Sequence, residues 1–133
     1  MKKILFLSML AGLAGCADAP QITSKATPVF FQPFSAALDE PALSTIASAA
    51  KTANAQPNAS VIVVGAADSV GSELANKYLS QTRAQVVADQ LVSDGVAQSR
   101  LRIHGRGIIQ PTDGTNGTPA QAARRVLIEI GGE

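Results

Sequence analysis

A run of β-branched residues, Val61-Ile62-Val63-Val64, set between Ser60 and Gly65, constrains this chain more than any other stretch. Apolar residues without polar alternation read as a strand covered on both faces, which places it at the centre of a sheet. The flanking sequence supplies its neighbours. Pro28-Val29-Phe30-Phe31 is a short aromatic strand that stops at Gln32-Pro33, because proline cannot continue a ladder. Asp39 reads as an N-cap with Pro41 in the first turn, and Leu43, Ile46, Ala50 and Ala53 recur at helical steps until Pro57-Asn58. After the central run, Ser72 to Ala75 opens a second helical region. Ser80 reads as an internal cap before a helix from Gln81 to Asp94, closed by Gly95 in a left-handed stop. On that helix Leu79, Ala84, Val87 and Leu91 face one way. Leu101 and Ile103 alternate with Arg100, Arg102 and His104, which predicts a strand buried on one face, and Val126, Ile128 and Ile130 predict a last one. Between these two lies Gly105 to Ala123, rich in Gly, Pro, Thr and Asn, and a loop of that length tends to carry function. The order is βαβαββ. It argues for an α+β fold, a mixed four-stranded sheet with helices packed on one face.

Composition narrows the chemistry. The chain has 133 residues, room for one ordinary domain, with a net charge of +1 and only 16% charged residues. That balance gives no footprint for nucleic acid. With no Trp, one Tyr, one His and one Cys, a disulfide framework, a Cys/His metal cluster and a stacking platform all lack raw material. No nucleophile and base pair can be assembled, so neither an enzyme nor a bound cofactor or metal is expected. His104 has no catalytic neighbour in the sequence and takes no role. Gly105-Arg106-Gly107 lacks the continuation of a phosphate loop. Asp39-Glu40 is a helix start favoured by the macrodipole.

The N-terminus reads as an address. Met1-Lys2-Lys3 is a positive leader to the apolar run Ile4 to Ala14, which is shorter than the roughly 20 residues a spanning helix needs. It ends in Leu13-Ala14-Gly15-Cys16, small residues before the only cysteine, and this resembles the lipobox of bacterial lipoproteins. The resemblance implies a signal peptide over residues 1–15 and acylation of Cys16, whose two or three chains suffice for stable anchoring. A plain secretory signal with an incidental cysteine is the alternative. Ala17 resembles the outer-membrane sorting class, although Asp18 follows it. Residues 16–27 form the lipidated N-terminus and tether, with a reach of at most about 36 Å past the cysteine, and residues 28–133 form the domain.

One segment narrows the family. Gly65-Ala66-Ala67-Asp68-Ser69-Val70-Gly71 is followed by Asn76, then Leu79-Ser80-Gln81-Thr82-Arg83-Ala84 and Val87; Gly105, Gly107, Pro111, Arg124, Arg125 and Val126 complete the set. This pattern resembles the OmpA-like (peptidoglycan-associated) domain family over about Val29 to Ile130, and the lipobox fits its lipid-anchored subgroup. The resemblance implies the βαβαββ fold and noncovalent binding of peptidoglycan on the periplasmic side of the outer membrane. Its ligand positions fall on Asp68 and Arg83.

The chemistry of the ligand suits that pair. A diaminopimelate residue in a stem peptide presents an ammonium and a carboxylate on one carbon, so its receptor needs an anion and a cation a few ångströms apart. Asp68 accepts from the ammonium, and the planar fork of Arg83 meets the carboxylate bidentately. Spacing alone favours an internal salt bridge or a solvated pair, and the family resemblance reverses that preference. Phe34 and Ser35 are placed to line the pocket, with core packing the competing role for Phe34; Asn76 is read as holding a turn, and Arg124 as helping a carboxylate. Departures matter as well. Ala66-Ala67 stands where the family has His-Thr, and Ala120 and Ala123 stand where it has Arg and Asn. A scaffold that has lost its ligand and instead contacts an envelope protein therefore remains the alternative.

Overall fold

The computed structural model describes residues 26–109 and 120–131. The β-branched run becomes β2, Val61–Ala67, third in a four-stranded sheet. The other elements are β1 (Thr27–Phe30), α1 (Glu40–Asn54), α2 (Glu73–Ser93), β3 (Leu101–Ile108) and β4 (Arg125–Ile130), with short 3-10 turns at Gln98–Arg100 and Gln121–Ala123. The sheet order is β1-β4-β2-β3. β4 pairs antiparallel with both β1 and β2, and β2 pairs parallel with β3. This is the mixed α+β architecture expected from the element order. The signal segment 1–15, Cys16, the tether as far as Lys25, and positions 110–119 including Pro111 lie outside the described residues.

Both helices pack on one face. Val29, Val61, Val63, Val126, Ile128 and Ile130 join Ile46, Ala50 and Ala53 of α1 and Ala84, Val87 and Leu91 of α2 in one buried cluster. The expectation that β2 is covered on both faces is corrected here: Ile62 and Val64 are only half-buried, because no element lies over the second face among the described residues. A continuous β-branched run does not distinguish those two situations.

Local signals set the helix ends. Asp39 caps α1, its carboxylate accepting from the Ala42 N–H at 2.9 Å. Gly95 takes φ +99°, and the Val96 N–H returns to the Leu91 carbonyl at 2.9 Å, which closes α2 as a left-handed stop. The second helix corrects the reading of Ser80. α2 is continuous and capped by Ser72, whose hydroxyl accepts from the Ala75 N–H. Ser80 is buried in its middle: its Oγ donates to the Lys77 carbonyl at 2.7 Å and accepts from the Gly107 N–H at 2.8 Å.

That second bond explains the end of β3. The register passes from Gly65↔Gly105 to Ala67↔Ile108, so β3 carries one extra residue, and Gly107 has φ +76°. Ser80 supplies the acceptor for a buried N–H at the irregularity. The strand thus continues through Ile108, and the loop expected from Gly105 begins later. Two further expectations for β3 are corrected. Ile103 is 37% exposed, since it sits on an edge strand that the helix covers incompletely. Arg100 is not a solvated strand residue; it donates to the carbonyls of Ala53, Gln56 and Ala59 and satisfies the C-terminal end of α1.

Gly65 and Gly105 are register partners, and α2 crosses directly over them. A Cβ at Gly65 would fall on the Ser80 carbonyl oxygen and 3.1 Å from the Ala84 methyl; one at Gly105 would lie 2.7 Å from the Gln81 nitrogen. Glycine is required for that approach. Gly65→Ala is expected to lower unfolding free energy in urea by about 3 kcal/mol, the upper range for overpacking, and an unchanged midpoint would show that α2 can lift away.

Candidate functional site

Antiparallel register decides which charges meet. Gly65 faces Val126 across the β2–β4 ladder, so the residue preceding β4, Arg124, comes beside the carboxyl end of β2, where Ala67 gives way to Asp68. Arg124 Nη1 donates to Asp68 Oδ2 at 3.0 Å, and Arg124 Nε donates to the Phe31 carbonyl at 3.2 Å. Asp68 is 6% exposed and Arg124 9%. The other carboxylate oxygen of Asp68 accepts from the Val70 N–H at 3.3 Å, an Asx-turn contact that orders the start of the loop. Asn76, buried on α2, donates through Nδ2 to the Val70 carbonyl at 2.9 Å. The Asp68–Gly71 segment is thereby tied to the helix that follows it, with Gly71 at φ +97° allowing the turn.

Arg83 occupies the middle of α2, three turns from its start, and is fully buried. Its Nε donates to the Ser35 carbonyl at 2.8 Å, Nη1 to the Ala66 carbonyl at 3.1 Å and Nη2 to the Gln32 carbonyl at 3.1 Å. The guanidinium carbon lies 5.2 Å from the centroid of the Phe31 ring. One side chain therefore joins α2, the end of β2 and the segment after β1. Burial lowers the Arg83 pKa from its ordinary value to about 10, with Asp68 pulling it up and Arg124 pushing it down. Arg83 stays charged at neutral pH. With Arg124 and Asp68 it makes a cluster of two cations and one anion.

The segment from Gln32 to Ser35 is a turn, closed by the Ser35 N–H on the Gln32 carbonyl at 3.3 Å. Arg83 grips that turn at both of its ends. Inside it Phe34 has φ +53°, a left-handed conformation that a residue with a Cβ adopts at a cost of about 1 kcal/mol or more. Phe34 is 70% exposed, which corrects its expected core packing; Phe31 is the aromatic that enters the core. The Ser35 hydroxyl accepts from the Ala37 N–H at 3.0 Å, so this side chain is used within the turn.

Both residues singled out from the sequence stand at one end of the sheet, yet no hydrogen bond or ion pair joins them: Asp68 is paired with Arg124, and Arg83 with three carbonyls. Arg124 contacts the acid directly, a role that spacing does not show because the two are 56 positions apart. Only the pairing of β4 with β2 brings them together. The contacts of Phe31 with Arg83 and of Ser80 with Gly107 are likewise made between residues distant in sequence.

The model of the OmpA family matches residues 30–125 of the chain. The probable lipoprotein YiaD of Escherichia coli is 35% identical over 102 residues, which cover 77% of this chain and 46% of YiaD. The peptidoglycan-binding protein ArfA of Mycobacterium tuberculosis is 34% identical over 117 residues, covering 86% of this chain and 36% of ArfA. The chain thus spans less than half the length of these two relatives. Among solved structures, the peptidoglycan-associated lipoprotein of Burkholderia pseudomallei shares the fold at a TM-score of 0.67 and 20% identity, over 78% of this chain and 89% of that one.

An ammonium on a flexible stem cannot span three carbonyls held in different directions. Arg83→Lys is accordingly expected to cost about 3 kcal/mol in urea denaturation, through carbonyls left without their donor. A loss below about 1 kcal/mol would show that the turn and β2 hold their positions without the guanidinium.

Proposed function

The chain belongs to the OmpA family, and from that premise we propose that it binds peptidoglycan noncovalently, gripping the diaminopimelate head of a stem peptide with Asp68, Arg83 and Arg124. The observation that carries this reading is the Asp68–Arg124 pair beside the buried guanidinium of Arg83. A zwitterion can enter such a cluster by exchange. Its ammonium takes the place of Arg124 on Asp68, and its carboxylate takes the place of Asp68 on Arg124, so one ion pair becomes two. Arg83 has five N–H donors, and three hydrogen bonds to carbonyls leave two for the incoming carboxylate. Ser35, Phe34 and Asn76 support the site by shaping the two loops around it.

A few charge-assisted hydrogen bonds, each contributing roughly 1.5–3 kcal/mol, correspond to micromolar to millimolar affinity for a free stem peptide. Attachment compensates for that weakness. In this reading residues 1–15 are a signal peptide, Cys16 is acylated, residues 16–27 tether the domain of residues 28–133, and the domain works in the periplasm below the outer membrane. A polymeric ligand within reach of a tethered domain makes rebinding local and raises effective concentration. Outer membrane and cell wall are linked as a result. YiaD is named a probable lipoprotein and ArfA a peptidoglycan-binding protein, which supports both halves of this reading.

One observation favours a second reading, an adaptor that contacts an envelope protein instead. Ala66 and Ala67 are buried and bring no hydrogen-bonding side chain to the loop, while Asp68 already has a partner. Co-sedimentation of the full chain with purified diaminopimelate-type peptidoglycan separates the two. The wild-type chain is expected in the pellet, and Asp68→Asn is expected to weaken retention about tenfold or more. Retention unchanged by that substitution removes Asp68 from the site; no retention of the wild type leaves the adaptor.

A further inference from the structure

A second charged feature lies at the same end of the sheet, on the β3 side of α2. Glu73, Lys77, Arg106, Gly107 and Ile108 line a polar cavity of about 360 Å³. Arg106, Gly107 and Ile108 belong to the irregular stretch of β3. Gly107 at φ +76°, held by Ser80, lies against the helix, where a Cβ would meet the Lys77 Cα in ordinary contact at 3.7 Å. The Ile109 N–H donates to the Ala67 carbonyl at 3.0 Å, so the strand end that lines this cavity is bonded to the residue that precedes Asp68. Asn76 holds the Asp68 loop from one side of α2 while its neighbour Lys77 lines the cavity from the next.

Its charges leave one cation in excess, and none is paired with another. Lys77 and Arg106 are exposed, and neither side chain makes a hydrogen bond or ion pair among the described residues. Glu73, one turn before Lys77, stands at the spacing of a helical ion pair and does not form one. Two cations and one anion converge on a cavity large enough for a peptide carboxylate with its neighbouring backbone.

We propose that Lys77 and Arg106 form a second anion subsite, which takes a free carboxylate of the same stem peptide whose diaminopimelate head sits at Asp68. The inference rests on the peptidoglycan-binding reading and deepens it, because it assigns a specificity: stem peptides whose second carboxylate is free bind better than those in which it is an amide. A stem peptide is a short polyanion, and the Asp68 cluster accounts for only one of its carboxylates. An amide retains the hydrogen-bonding shape but not the charge, so the two cations discriminate by electrostatics that salt screens.

The test is calorimetric titration of the full chain with two synthetic diaminopimelate stem peptides that differ only in that carboxylate, free or amidated. The wild-type chain is expected to prefer the free acid about fivefold at low salt, with the preference shrinking as NaCl is raised. In the Lys77→Gln, Arg106→Gln double variant the two affinities are expected to converge. Both side chains are exposed, and an unchanged urea midpoint verifies that the fold is intact. A wild type without preference, or a preference that survives the double substitution, overturns the subsite while the Asp68 reading stands. Binding of neither peptide at millimolar concentration overturns both.

Discussion

A fully buried guanidinium organises this molecule. Arg83 projects from the middle of α2 and bonds to carbonyls of Gln32, Ser35 and Ala66, three points on two segments. Removing such a charge from water is costly, as its lowered pKa shows, and only a full set of acceptors makes the burial tolerable. The consequence runs outward. The turn after β1 keeps Phe34 in a left-handed conformation, the end of β2 keeps its direction, and Asp68 is delivered next to Arg124.

The sheet and α2 meet this constraint from the other side. Arg83 can reach Ala66 only because the helix lies almost on the strands, and that closeness requires Gly65 and Gly105 beneath it. Ser80 completes the contact by accepting from the N–H of Gly107, which the irregularity in β3 would otherwise leave buried without a partner. Packing, hydrogen bonding and placement of charge are one solution here. A change at any of these residues is felt at the others.

Much of the architecture was legible along the chain, and the reasons are local. Asp39 and Gly95 act through atoms within a few residues of themselves, so their types announce a helix start and a helix stop. Alternation in β4 likewise states its own burial. What stayed hidden depends on partners far away in sequence. Ser80 reads as a cap because serine disfavours helix interiors, whereas its hydroxyl serves β3, 27 positions on. Asp68 and Arg83 stand out as a charged pair at the end of a βα unit, but their hydrogen bonds go to Arg124 and to backbone oxygens, which no spacing of side-chain types encodes. Val61 to Val64 shows a strand and leaves open whether one face or two are covered.

The place where β1 joins the sheet bears on mechanics. β1 enters level with Val63, at the edge, and runs antiparallel to β4 toward the end that carries Asp68. A pull on the chain ahead of Thr27, opposed by a load held at Asp68, is directed along the strand axis. The ladder between β1 and β4 is then sheared, its bonds straining together, and is not unzipped one rung after another. The turn that Arg83 clasps lies just beyond the far end of this strand, so a load reaches it only through the β1–β4 ladder.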